Sequence, residues 1–177
     1  MLETDRLILR QWKESDYPHF INMGLDQVVM QYFPNLWAKD ESLEFIHKVK
    51  AIIEKNGWGF WAVALKESGQ FIGFIGLHSQ PEQFEFSPCV EIGWRLAKEY
   101  WGNGYATEGS RAVLRYAFNE LNLNKVVSFT AVLNTRSEAI MKKIGMIKVK
   151  EFDHPRLPEG NYLRKHLLYE ILNPNLI

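Results

Sequence analysis

Apolar positions along the chain recur with two different periods, and the points where the period changes divide it into elements. Arg6-Leu-Ile-Leu-Arg-Gln-Trp12 reads as a first strand, and Ser15 or Asp16, with Pro18 in the first turn, opens a short helix. Residues 27–37 are aromatic but irregular, and Pro34 blocks a long helix there. Asp40 is the expected cap of a helix that lines up Leu43, Ile46, Val49, Ile52 and Ile53 and closes at Gly57. Two β-prone runs, Trp58–Leu65 and Gln70–His78, form a hairpin through Lys66-Glu-Ser-Gly69, and a proline-containing loop spans 79–88.

The next stretch alternates strictly. Val90, Ile92, Trp94 and Leu96 fall on one face of a strand, and Cys89, Glu91, Gly93 and Arg95 on the other. Gly102-Asn103-Gly104 follows, and then Val113, Leu114, Ala117, Phe118 and Leu121 at helical spacing, ended by Asn122 and Asn124. Lys125–Val132 is another strand. Thr135-x-x-Glu138 reads as a capping box opening a helix that stops at Gly145. Met146–Phe152 and Tyr162–Ile171 read as closing strands around a Pro/Gly loop at 154–161. Antiparallel runs with one β-α-β crossover in the middle predict an α/β (α+β) fold, a mixed and mostly antiparallel sheet flanked by helices. With no internal repeat or linker, residues 1–177 are expected to form a single domain.

The strand, glycine turn and helix form an anion site. Two glycines let backbone N–H groups point inward, and the helix start adds unpaired amides and the positive end of its dipole. A Walker loop requires Gly-Lys-Ser/Thr, and the turn has no lysine there. A dinucleotide fingerprint requires a third glycine, where Thr107 stands, and an acidic residue after the next strand, where Leu133 and Asn134 stand.

Trp101-Gly-Asn-Gly-Tyr-Ala106 resembles the Q/R-x-x-G-x-G/A turn of the GNAT N-acetyltransferases. With Glu91-Ile-Gly-Trp before it and Ala106-Thr-Glu108 after it, the run is most similar to the RimJ/RimL-like branch, as is the opening Thr4-Asp-Arg-Leu-Ile-Leu-Arg10. Asn134-Thr-Arg-Ser-Glu-Ala-Ile-Met-Lys-Lys-Ile-Gly-Met146 is similar to that family's N-x-x-A-x-x-x-Y-x-x-x-G-F. The resemblance implies a splayed strand pair and acetyl-CoA as cosubstrate, with its pyrophosphate on backbone amides of Gly102, Asn103, Gly104, Tyr105, Ala106 and Thr107. It also implies a thioester donor on the central strand at Ile92, Gly93 or Trp94, and a contact from Asn134. Trp101 replaces the usual Arg/Gln of the turn, which leaves the phosphates to backbone amides.

Lysine plus arginine equal aspartate plus glutamate at 21 each, so no net field recruits nucleic acid or an anionic membrane. One cysteine, no basic-then-apolar leader and no long apolar run fit a cytoplasmic protein without a metal cluster. Amine acetylation needs a base and an acid as well as the cradle. Glu91 is the candidate base, with a structural glutamate paired to Arg95 or Arg111 as the other reading. Met141 stands where many members carry the tyrosine acid, so Ser137 is the candidate acid, or else a plain first-turn residue; Asn134 has a helix cap as its alternative role. Glu108 is expected to stabilise the helix dipole and hold the loop. Cys89 has no partner base in its motif, so transfer is direct, in a ternary complex. The acceptor is a primary amine: a protein N-terminal α-amine, or alternatively a small molecule. A non-catalytic acyl-CoA-binding sensor is the rival from another class. Pairing into a homodimer is compatible with the family, although no interface motif is present.

Overall fold

A computed structural model describes residues 1–176. The strands are β1 (Leu2–Glu3), β2 (Leu7–Arg10), β3 (Phe60–Leu65), β4 (Phe71–Gln80), β5 (Cys89–Leu96), β6 (Lys125–Ala131), β7 (Ile147–Asp153) and β8 (Lys165–Leu172). They form one sheet in the order β1-β2-β3-β4-β5-β6-β8-β7. The β5–β6 pair is parallel, while β1–β2, β2–β3, β3–β4, β6–β8 and β7–β8 are antiparallel. The helices are α1 (Tyr17–Leu25), α2 (Lys39–Asn56), α3 (Tyr105–Asn119) and α4 (Thr135–Lys143). This is the expected mixed, mostly antiparallel sheet flanked by helices. No helix among the described residues is long and apolar enough to cross a membrane.

The chain divides into two compact units, Met1–Leu77 with Gly93–Val113, and His78–Ile92 with the chain from Leu114 onward. In the first, Leu7, Leu9, Phe20, Ile46, Ile72 and Ile75 are fully buried. Each such side chain contributes roughly 1.5–3 kcal/mol by leaving water. Trp12, Phe20, Phe45 and Phe74 interlock above them, with Trp12 and Phe20 ring centroids 5.1 Å apart edge to face and Phe45 and Phe74 5.3 Å apart. In the second, Ile92, Ala117, Val126, Met141 and Leu168 are buried, and Phe84, Phe86, Phe129 and Phe152 make a separate ring cluster.

Several element ends differ from the sequence expectation for identifiable reasons. Asp40 does not cap α2: Ala38 takes the extended N-cap conformation, and the Glu41 carboxylate reaches back to accept its N–H at 2.7 Å. Thr135 likewise lies inside α4, whose cap is Asn134. β4 continues to Gln80, two residues into the expected loop. Tyr162 precedes β8 and is 70% exposed, so the closing strand starts later than its aromatic residue suggested.

Candidate active site

In the first unit, β5 runs through Gly93, Trp94 and Arg95 into the turn. Gly102 has φ +80° and Gly104 φ +82°, the left-handed region that glycine enters without cost. α3 starts at Tyr105, and the N–H of Glu108 closes its first hydrogen bond, to the Gly104 carbonyl at 3.0 Å. The N–H groups of Tyr105, Ala106 and Thr107 therefore have no carbonyl within the helix to bond. Gly102, Asn103 and Gly104 are exposed. A Cβ on Gly102 would meet nothing within 4 Å, and one on Gly104 only Arg6 Nη2 at 3.6 Å, so the space above the turn is open. Open space, unpaired amides and a helix start suit a pyrophosphate.

The turn is not backed by backbone amides alone. Glu108 accepts from the Thr4 hydroxyl at 2.6 Å, the Arg6 N–H at 2.9 Å and Arg6 Nε at 2.7 Å. Burial lifts the Glu108 pKa, but these donors outweigh it and hold the carboxyl below its ordinary value. Arg6 also donates from Nη1 to the Asn103 carbonyl at 3.0 Å and lies 4.5 Å over the Tyr105 ring. A half-exposed guanidinium is thus fixed beside the turn whose own Arg/Gln position is Trp101. Sequence spacing did not connect residue 6 to residue 103; the Thr4-to-Arg10 opening was the available signal. Trp101 braces the turn differently, donating from its indole N–H to the Leu96 carbonyl at 2.8 Å.

Arg95 shares the turn's unit. It falls on the side of β5 that carries polar residues, yet it is only 7% exposed. Its guanidinium carbon lies 4.1 Å from the Phe33 ring centroid and 4.2 Å from Trp37, with Phe74 at 5.5 Å and Phe20 at 5.8 Å. Nε and Nη1 are buried without a hydrogen-bond partner. Burial lowers its pKa to about 9.

In the second unit, Glu91 accepts from Gln80 Nε2 at 2.8 Å. Glu91 is half-buried as a residue, but its carboxylate sits among protein atoms, and burial raises its pKa to about 7 against the lowering effect of the Gln80 amide. β5 and β6 pair at Glu91 opposite Val127, and the Ile92 carbonyl accepts from the Ser128 hydroxyl at 2.9 Å. The Ile92 side chain is fully buried, so only its backbone can reach a ligand. Asn134 caps α4: its Oδ1 accepts from the Ser137 N–H at 3.2 Å, and its Nδ2 donates to the Thr130 hydroxyl at 3.0 Å. Ser137 is half-buried in the first turn of that helix.

Met141, at the family's tyrosine position, is 1% exposed and packs into the core. The Tyr169 hydroxyl donates to Glu138 at 2.6 Å. A cavity of about 500 Å³ opens beside Phe84, Phe152, Glu151 and Lys165. Near it the His154 and His166 rings lie 4.8 Å apart, tilted at 48°, and burial, with the nearby His166 and Arg156, lowers the His154 pKa to about 4.

The family model for an acetyltransferase (GNAT) domain matches residues 6–147. The chain belongs to the GNAT acetyltransferase family. It is 33% identical over 165 residues to the uncharacterized protein YkkB of Bacillus subtilis, covering 93% of this chain and 95% of that one. It is 30% identical over 172 residues to the uncharacterized N-acetyltransferase YnaD of the same organism, covering 97% and 96%. A solved GNAT acetyltransferase from Bacillus anthracis matches with a TM-score of 0.81 at 26% identity, covering 97% of this chain and 98% of that one. As a GNAT enzyme the protein is an N-acetyltransferase that uses acetyl-CoA as cosubstrate, and the sensor reading gives way.

Proposed function

We propose that the protein acetylates a primary amine by direct transfer, with Glu91 as base and Ser137 as acid. The amine nitrogen bonds to the thioester carbon while the carbonyl oxygen gathers charge against the Gly93 N–H. The C–S bond then breaks. The amine proton passes to Glu91, directly or through a water, and the departing sulfur takes a proton from the Ser137 hydroxyl, which regains one from solvent as Glu91 gives its own up. Tyr105, Ala106 and Thr107 amides, with Arg6 beside them, hold the pyrophosphate, and Asn134 fixes the start of α4 at Ser137. The observation that carries this reading is the buried Glu91 carboxylate on Gln80, whose pKa of about 7 suits proton acceptance near neutrality.

The RimJ/RimL-like resemblance makes the acceptor a protein N-terminal α-amine. A small amine is the second reading, favoured by the buried Arg95, which offers unpaired donors to a negatively charged acceptor. The test is to incubate the enzyme with acetyl-CoA and panels of N-terminal peptides and small amines, following CoA release and product mass. Wild type acetylates members of one panel, Ser137→Ala loses turnover while retaining acetyl-CoA affinity, and acetylation at full rate by Ser137→Ala would remove Ser137 from the mechanism.

A further inference from the structure

A buried cation ordinarily has an anionic or carbonyl partner, because an unpaired one forfeits its hydration. Arg95 has aromatic rings instead. Phe33 and Trp37 lie closest, at 4.1 and 4.2 Å, and two of its nitrogens, Nε and Nη1, are buried with nothing to donate to. Ring contact with a guanidinium offsets only part of what burying the charge costs. Rings stacked on a guanidinium cover its faces and leave the N–H groups pointing outward in its plane, where a flat anion entering edge-on accepts from Nη2 together with either Nε or Nη1 and so satisfies one of the two orphaned groups. Of the two nearest rings, Phe33 is 36% exposed. Gly93, to which the proposed reaction assigns the thioester donor, is two residues earlier on the same side of β5, about 7 Å along the strand.

From this we infer that Arg95 and its aromatic box bind the carboxylate of the acceptor, so that the substrate is an amine that also carries a carboxylate. The inference rests on the acetyltransferase reading for its amine and on the box alone for its carboxylate. A planar carboxylate matches the edge of a guanidinium covered on its faces better than a tetrahedral phosphate does, and a polyamine would place its charge against a like charge. Free amino acids and peptides with an acidic residue beside the amino terminus both offer this chemistry.

The experiment compares acceptors that differ only in the carboxylate: L-phenylalanine with phenethylamine, L-lysine with cadaverine, and the dipeptide amide Asp-Ala with Asn-Ala. Separately, phenylacetate and inorganic phosphate are titrated into the acetyl-CoA-free enzyme, with tryptophan fluorescence as readout. Two charge-assisted hydrogen bonds predict kcat/KM on the order of a hundredfold to ten-thousandfold higher for the carboxylate-bearing member of an accepted pair. Preference within the first two pairs assigns free amino acids; preference confined to the dipeptides assigns acidic peptides. In Arg95→Met the ratio falls to near one, phenylacetate binding is lost, and acetyl-CoA affinity is unchanged. Because the box carries an unpaired charge, Arg95→Met also melts no lower than wild type, whereas a purely structural arginine would lower the melting temperature. If the methionine variant does not fold, Arg95→Lys, which keeps the charge but not the fork, carries the comparison and shows a reduced ratio. Equal use of both members, selectivity unaltered by either variant, or tighter binding of phosphate than of phenylacetate overturns the assignment. Phenylacetate binding without acetyl-CoA binding or any turnover would instead sink the acetyltransferase reading and leave the carboxylate box standing.

Discussion

Removing the Gln80 amide tests the base assignment more sharply than removing Glu91 itself. With its pKa at about 7, Glu91 is about one-tenth ionised near pH 6 and about nine-tenths near pH 8. If Glu91 takes the amine proton, kcat/KM for one amine rises about tenfold across that interval on this account alone. Gln80 donates to the ionised form at 2.8 Å and is itself buried, so Gln80→Leu leaves the carboxylate without that partner. A hydrogen bond to a charged group is worth about 1.5–3 kcal/mol, and about 1.36 kcal/mol corresponds to one pKa unit. The rate limb therefore moves to higher pH by about one to two units. Glu91→Gln removes the limb and lowers the rate by about 10²- to 10⁴-fold. The assay is the initial rate of CoA thiol release between about pH 6 and 9.5 with a single amine, so that the amine's own ionisation is common to all three proteins. Superimposable profiles for wild type and Gln80→Leu would refute the reasoning.

Glu91 and His154 also shape stability, in opposite directions. The folded pKa of Glu91, about 7, lies above its ordinary 4.5, so the native state keeps a proton that the unfolded chain releases, and stability falls by up to about 3 kcal/mol as pH rises through that window. His154, lowered from 6.5 to about 4, loses stability as pH falls through nearly the same window. Thermal melts should therefore show Glu91→Gln gaining stability relative to wild type as pH rises from about 4.5 to 7, and His154→Phe gaining it as pH falls from about 6.5 to 4. Glu108→Ala releases Thr4 and Arg6 from the turn, so acetyl-CoA affinity by calorimetry falls about tenfold, and the loss of stability is larger at neutral pH than near pH 3, where the carboxylate is protonated. Asn134→Ala removes the α4 cap and costs about 0.5–2 kcal/mol in denaturant unfolding, while Asn134→Ser retains most of it.

Periodicity located the elements because the core dictates it: the helical series after the glycine turn reflects a face on which Val113, Leu114, Ala117 and Phe118 are buried, while on the apolar face of 89–96 Ile92 and Leu96 are buried and Val90 and Trp94 are half-buried. It could not locate caps that depend on which side chain folds back. Ala38 has no capping atom, and its place in α2 is set by Glu41 three residues on. Alternation could not show the burial of Arg95, because the rings that enclose it come from 27–37, a segment with no period of its own. The cradle was legible because glycine is needed at left-handed positions, whereas Arg6 was not, because its link to Asn103 and Glu108 spans about a hundred residues of chain. Glu91 was legible as a candidate, but its partner Gln80 came from β4 running past the residues expected to end it.

The central claim, that the glycine turn before α3 holds acetyl-CoA, is tested most directly by calorimetric titration of wild type and Gly104→Val with acetyl-CoA. Valine at φ +82° costs at least about 1–2 kcal/mol of backbone strain and puts a branched side chain into the open space above the turn. The account predicts one-site binding by wild type and at least about a hundredfold loss in the variant, with circular dichroism showing both folded. Equal affinity in the two proteins, or no binding by folded wild type, would contradict it.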